Sequence, residues 1–153
     1  MLDKTNNRLE WWVVNLYDGQ EYFYLDSTGI IWSDYYDIED RESRCRYKTN
    51  KSFGNVFLTE EDCLDKKHEI KTMVKWKELA ESSWGNSIGE LYNIDVFKFS
   101  AVYTPSVSGS GVYVAGTFVL FYGQSFFKTK ESCEEAIQLI GEDKVKRYIL
   151  GVK

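Results

Sequence analysis

A seven-residue pattern occurs twice in this chain, as Phe57-Leu58-Thr59-Glu60-Glu61-Asp62-Cys63 and Phe127-Lys128-Thr129-Lys130-Glu131-Ser132-Cys133, with Phe, Thr, Glu and Cys in register. Each copy follows an aromatic, β-rich stretch and a glycine, Gly54 or Gly123, and each opens a segment with helical periodicity. A threonine at a helix start accepts from a first-turn backbone N–H, and acidic residues behind it suit the positive end of the helix dipole. The chain therefore reads as two strand-then-helix units. The expected fold is α+β, a mainly antiparallel sheet packed on helices, with pseudo-repeat halves at about 8–82 and 84–153.

At 153 residues, one compact domain spanning 1–153 can bury a core without metal or disulfides. Aromatic residues make up 16% of the chain and proline occurs once, at Pro105, which excludes a disordered tail. The formal charge of −5 argues against a bulk attraction to nucleic acid, so no direct nucleic-acid partner is expected. Cys45, Cys63 and Cys133 are odd in number and widely spaced, and are expected as reduced thiols, the latter two as small inward packing groups. The N-terminus has no signal-like apolar run, and no stretch approaches the ~20 apolar residues of a membrane span. An intracellular protein without a membrane partner is the expectation.

Residues 11–17 form an aromatic, β-branched run. Asp18-Gly19 supplies a tight turn, residues 22–25 resume the pattern, and Asp26-Ser27-Thr28-Gly29 turns the chain into a short strand at residues 30–32, so a three-stranded meander is expected. Residues 33–51 are highly charged, first acidic and then basic, with residues 44–48 open between a strand edge and a loop. A helix is expected from Thr59 to about Glu81, a linker at residues 82–87, and two long strands at residues 91–103 and 112–122. The second of these strands is apolar on both faces, which suits a central strand or an oligomer interface. A helix capped by Thr129 and stopped at Gly141 follows, then a short one opened by Glu142-Asp143, with Val145, Tyr148 and Ile149 inward.

Catalytic patterns are missing. His68 is the one histidine and sits among charges on a helix surface, no Cys or His pair has chelating spacing, and no phosphate-binding or nucleophile-elbow motif is present. No cofactor, no metal and no enzymatic activity are expected. The cluster Asp34, Asp37, Glu39 and Asp40, interleaved with Tyr35 and Tyr36, is the candidate partner-binding surface: carboxylates and phenols that could imitate a phosphate backbone before a basic protein, or keep an edge strand soluble. Trp11, Trp12, Trp32, Tyr22 and Tyr24 could stack on sugars or bases, though core packing explains them more simply.

With these pieces placed, the chain resembles small uncharacterised proteins encoded by phages and prophages of Gram-positive bacteria. The residues that carry the resemblance are Gly54-Asn55-Val56-Phe57-Leu58-Thr59-Glu60-Glu61, Phe127-Lys128-Thr129-Lys130-Glu131 and Ile140-Gly141-Glu142-Asp143-Lys144. Similar proteins often carry alanine where this chain has Cys63 and Cys133. The resemblance implies a phage accessory protein that occludes a host protein, of the anti-defence or anti-CRISPR kind. Taken with the missing catalytic set, the negative charge and the cluster at Asp34 to Asp40, the expectation is a protein of the host bacterial cytoplasm that binds and inhibits a host protein such as a nucleic-acid-handling defence nuclease. Two other readings stay open: a small-ligand or nucleic-acid binding module using surface Trp and Tyr, and a self-assembling or homodimeric protein joined through residues 112–122.

Overall fold

The computed structural model describes residues 15–105, 111–121 and 123–152. The fold is α+β, built on two separate antiparallel hairpins and the helices that follow them. The chain divides into two compact units, Met1–His68 and Glu69–Lys153.

In the first unit, β1 (Glu21–Leu25) pairs with β2 (Ile31–Tyr35), with Phe23 opposite Ser33. The turn between them is organised by one carboxylate. Asp26 Oδ1 accepts from Thr28 N–H at 2.8 Å, Thr28 Oγ1 at 2.6 Å and Ile30 N–H at 2.9 Å, and Oδ2 accepts from the Trp32 indole at 2.9 Å. The expected first strand of the meander is not a strand at residues 15–17, and its remainder, residues 11–14 with Trp11 and Trp12, lies outside the described residues. The Asp18-Gly19 turn is present and is held against the end of β2, with Gly19 N–H donating to the Tyr36 carbonyl at 2.7 Å.

The charged stretch after β2 is a helix where a strand edge or a loop was expected. Helix α1 spans Arg41–Ser52, with Asp40 as its N-cap. Gly54, at φ +64°, closes its far end: its N–H donates to the Lys51 carbonyl at 3.0 Å and Asn55 N–H to the Asn50 carbonyl at 2.9 Å, the two-bond stop for which glycine is favoured. Apolar periodicity is nearly absent because α1 buries only one large apolar side chain, Tyr47, which joins Tyr22 and Val56 in the core of this unit.

Helix α2 runs Glu60–Trp84 and starts where the threonine places it, with Asp62 N–H donating to Thr59 Oγ1 at 3.1 Å. The expected linker at residues 82–87 is helical as far as Trp84, and the chain then breaks at Gly85, whose φ of +49° is left-handed, with Ser87 also non-helical. Trp84 is buried and its indole donates to the Phe126 carbonyl at 2.8 Å, which holds the last turn of α2 in place; a kinked 3₁₀ segment, Gly85–Tyr92, follows the break.

In the second unit, β3 (Lys98–Thr104) pairs with β4 (Gly111–Thr117), Ala101 opposite Val114. Both strands are shorter than expected. Asn93 Oδ1 accepts from Asp95 N–H at 2.9 Å and turns the chain before β3, and the Lys98 ammonium fixes that turn by donating to the Asn93 and Val96 carbonyls, both at 2.7 Å. Beyond β4, the Thr117 hydroxyl accepts from Val119 N–H at 3.0 Å and diverts residues 118–121 out of the ladder. One face of the hairpin, with Phe99, Ala101, Val112 and Val114, packs with α3 (Lys130–Ile140) and with Trp76 and Ala80 of α2 into the core of this unit. A last turn of helix, α4 (Glu142–Lys144), passes into a π-helical turn, Val145–Ile149, that buries Val145 and leaves Tyr148 and Ile149 half-buried.

The repeated sequence pattern marks a repeated backbone arrangement. Phe23 of β1 exchanges both backbone hydrogen bonds with Phe57, at 2.8 and 2.9 Å, and Phe99 of β3 does the same with Phe127, at 3.0 and 2.7 Å. In each copy, the phenylalanine is a one-residue third strand against the first hairpin strand, and the threonine two residues on caps a helix. The amide after each glycine tethers to that same hairpin strand: Asn55 donates to and accepts from the Leu25 backbone, and Gln124 donates to the Ser100 hydroxyl. Cys63 and Cys133 are fully buried, as an inward small group at the first helical turn should be.

Candidate functional site

The end of β2 and the loop into α1 place the six candidate residues within one short stretch, but the fold uses them unequally. Asp34 lies on β2 opposite Tyr22. Its Oδ2 accepts from Arg46 at 2.5 Å and from the Tyr22 hydroxyl at 3.4 Å. Burial, and then the neighbouring Asp34 charge, push the Tyr22 phenol up to about 12, while Asp34 raises the Arg46 guanidinium further still. This carboxylate is committed to a phenol and a guanidinium of its own unit.

Asp37 and Asp40 build the loop. Asp37 Oδ1 accepts from Glu39 N–H at 2.8 Å and Asp40 N–H at 3.1 Å, which closes a tight turn, and Asp37 N–H donates to Ser43 Oγ at 2.9 Å. Asp40 accepts from Ser43 N–H at 2.9 Å and Glu42 N–H at 3.2 Å; these backbone donors, Ser43 first, hold its carboxyl below the usual carboxylate range. Tyr36 is half-buried, its ring 4.9 Å from that of Tyr47 in the core.

Glu39 and Tyr35 stand apart from this network. Among the described residues, neither the Glu39 carboxylate nor the Tyr35 hydroxyl has a side-chain partner, and Tyr35 is 60% exposed. They border an open surface depression of about 430 Å³ lined by Asp18, Gly19, Tyr35, Tyr36, Asp37 and Glu39. Four of the six candidates line it, and Asp34 and Asp40 do not. The sequence marks Asp18 and Gly19 as a hairpin turn alone; their place here comes from Asp18 Oδ1, which accepts from Ile38 N–H at 2.9 Å and pulls the turn against the loop. Tyr17 and Ile38, chain neighbours of the lining residues Asp18, Asp37 and Glu39, are exposed. Carboxylates and phenols beside apolar rings form an acceptor-rich surface, suited to the ammonium and guanidinium groups of another molecule, whose alkyl stems pack on rings.

The other candidates take structural or solvent-facing positions. Tyr22 is fully buried, its ring centre 5.9 Å from that of Tyr24 in a tilted contact and 6.0 Å from that of Tyr47 edge-on, whereas Trp32 is half exposed. His68 is exposed on α2, on the helix surface where the sequence places it. Burial pushes the Cys63 thiol up to about 11 and the Cys133 thiol up to about 12, and Cys45 is the exposed thiol. Among the described residues, no group of three or more His, Cys, Asp or Glu is placed to hold a metal ion, and no helix is long and apolar enough to cross a membrane. Comparison of the chain with protein-family models, curated proteins and solved structures found no match to any of them.

Proposed function

We propose that this chain is a non-enzymatic accessory protein of the phage or prophage kind, which acts by binding and occluding a basic host protein in the bacterial cytoplasm, such as a nucleic-acid-handling defence nuclease. The observation that carries the reading is the depression at residues 35–39, where Glu39 and the Tyr35 hydroxyl are free of the fold's own hydrogen bonds. The net charge of −5 gives the same sign of attraction at longer range. The resemblance in sequence pattern supports the phage origin and the inhibitory role.

The fold narrows which residues test this reading. Reversing Asp34, Asp37 or Asp40 would disturb an ion pair, a turn or a helix cap, whereas Glu39→Lys with Tyr35→Ala alters the surface and leaves those bonds alone. The intact chain, immobilised, is expected to retain a basic protein from a susceptible bacterial lysate, identified by mass spectrometry, and to lose it with added salt. Retention of the same protein by the Glu39→Lys/Tyr35→Ala variant at low salt would overturn the assignment of this surface.

A further inference from the structure

Residues 99–127 contain no Asp, Glu, Lys, Arg or His, in a chain that is 28% charged. This neutral stretch includes all of β4, one edge of its sheet. Because Phe99 directs its N–H and C=O to Phe127, it faces away from Gly116, its cross-strand neighbour; in an antiparallel ladder the alternation then leaves the N–H and C=O of Val112, Val114 and Gly116 pointing away from β3. Val112 N–H is taken by Glu142 Oε1 at 3.0 Å. Val114 and Gly116 have no such partner among the described residues.

Open strand edges are ordinarily blunted by lysine, proline, a bulge or a covering segment. Gly111–Thr117 contains no charge and no proline, and its strand pairs with β3 without a register break. Tyr113 on the strand, Phe97 over its Gly116, and Phe118, Val119 and Phe121 after its end are each between 42% and 58% exposed. At ~150–250 Å² per aromatic side chain these leave on the order of 400–500 Å² of apolar surface, about half of the ~800 Å² that a standard interface takes from each partner.

We infer that β4 is the interface of a homodimer, in which two copies pair antiparallel about a two-fold axis through Ala115 and continue one hairpin into the other. A second copy is the occupant because the edge is neutral: it meets its own image without a like-charge contact, where a charged edge would repel itself. The register follows from Glu142. With Val112 N–H already satisfied, the residues left to pair are Val114 and Gly116, and Val114 of one protomer opposite Gly116 of its partner, twice over, forms four backbone hydrogen bonds. Ala115 then lies directly opposite its own copy as a non-hydrogen-bonded pair, where Cα atoms approach to about 4.5 Å. That is within reach of a disulfide.

The full chain is expected to run as a concentration-dependent dimer in sedimentation velocity at micromolar concentration. In a Cys45→Ser background, Ala115→Cys is expected to form a reducible dimer on mild oxidation, and Tyr113→Cys, displaced from the axis, to form little. Val114→Pro, which removes an outward N–H and breaks no hydrogen bond to β3 but also alters a side chain packed on the core, and Tyr113→Lys, which places charge on the interface and leaves the core alone, are each expected to give monomers, the latter with unchanged far-UV circular dichroism. A monomeric wild-type mass across that range would overturn the inference. So would a dimer that survives both variants, or equal cross-linking at positions 113 and 115.

Discussion

Phe99 and Phe127 exchange both of their backbone hydrogen bonds although 28 residues separate them in the chain, and the Phe127 ring then lies 4.8 Å from that of Trp76 in an edge-on packing. Phe23 and Phe57 repeat the backbone exchange, but Phe57 is only half-buried. The two copies thus share a backbone device and differ in how much core rests on it.

That difference sets the first prediction. Phe127 is fully buried, so Phe127→Ala is expected to cost ~3–5 kcal/mol, the range for removing a core aromatic ring. Phe57→Ala, with less area to lose, is expected to cost about 1–2 kcal/mol. Urea unfolding followed by tryptophan fluorescence measures both, and equal losses would contradict the unequal burial.

The Asp26 carboxylate serves four donors in the β1–β2 turn, and the Thr28 hydroxyl, then the Trp32 indole, hold it well below the usual carboxylate range. A carboxyl depressed in the folded state contributes stability that is fully present above its ordinary value of 3.8 and is lost as pH falls below it. Since Asp26 is on the surface, solvent screening keeps the effect small. Asp26→Ala is expected to lower the midpoint of thermal unfolding at neutral pH and to flatten its decline in acid. Asp26→Asn should keep part of the turn and still release the Trp32 indole, seen as a shift of tryptophan emission.

How much of this was legible in the sequence depends on which residues speak locally. Thr59 and Thr129 announce their helices because a cap is a contact between near neighbours, and α2 and α3 begin where those residues place them. Helix α1 was hidden because its one large buried apolar side chain, Tyr47, gives no periodicity, and because the acids before it read as surface charge when Asp40 is its cap. The sequence overstates the length of β3 for the opposite reason: Leu91, Tyr92 and Ile94 are apolar but belong to a 3₁₀ segment and a turn set by Asn93, and Tyr92 and Ile94 are exposed. At the candidate site, composition revealed the carboxylates but not their use. Only the folded geometry separates Asp34, Asp37 and Asp40, which hold the chain, from Glu39, which does not.

The two buried thiols give an alkaline signature. Desolvation raises Cys63 to about 11 and Cys133 to about 12 from an ordinary 9.0. A group raised in the folded state contributes stability that is fully present below its unfolded value and is lost as pH climbs through its folded value, so the loss falls between about 9 and about 12 on these values. At mildly alkaline pH, a thiol reagent is expected to modify Cys45 quickly and the other two only as fast as the protein opens. Cys133→Ala is expected to keep the fold and to remove part of the alkaline loss.

Within the loop at residues 34–40, the fold predicts opposite outcomes for carboxylates one position apart. Asp40→Ala removes the acceptor for the Ser43 and Glu42 N–H groups and is expected to fray α1, which would loosen Tyr47 from its place beside Tyr36 and Tyr22. Asp40→Ser, another good N-cap, should restore most of the stability, since the cap depends on an acceptor oxygen more than on charge. Glu39→Ala touches no bond of the fold and is expected to unfold at the wild-type midpoint. Circular dichroism melts of the three variants measure this directly. Should Asp40→Ala melt with the wild type while Glu39→Ala falls, the carboxylates would have exchanged roles, and the partner surface at the depression would have to be redrawn around Asp40.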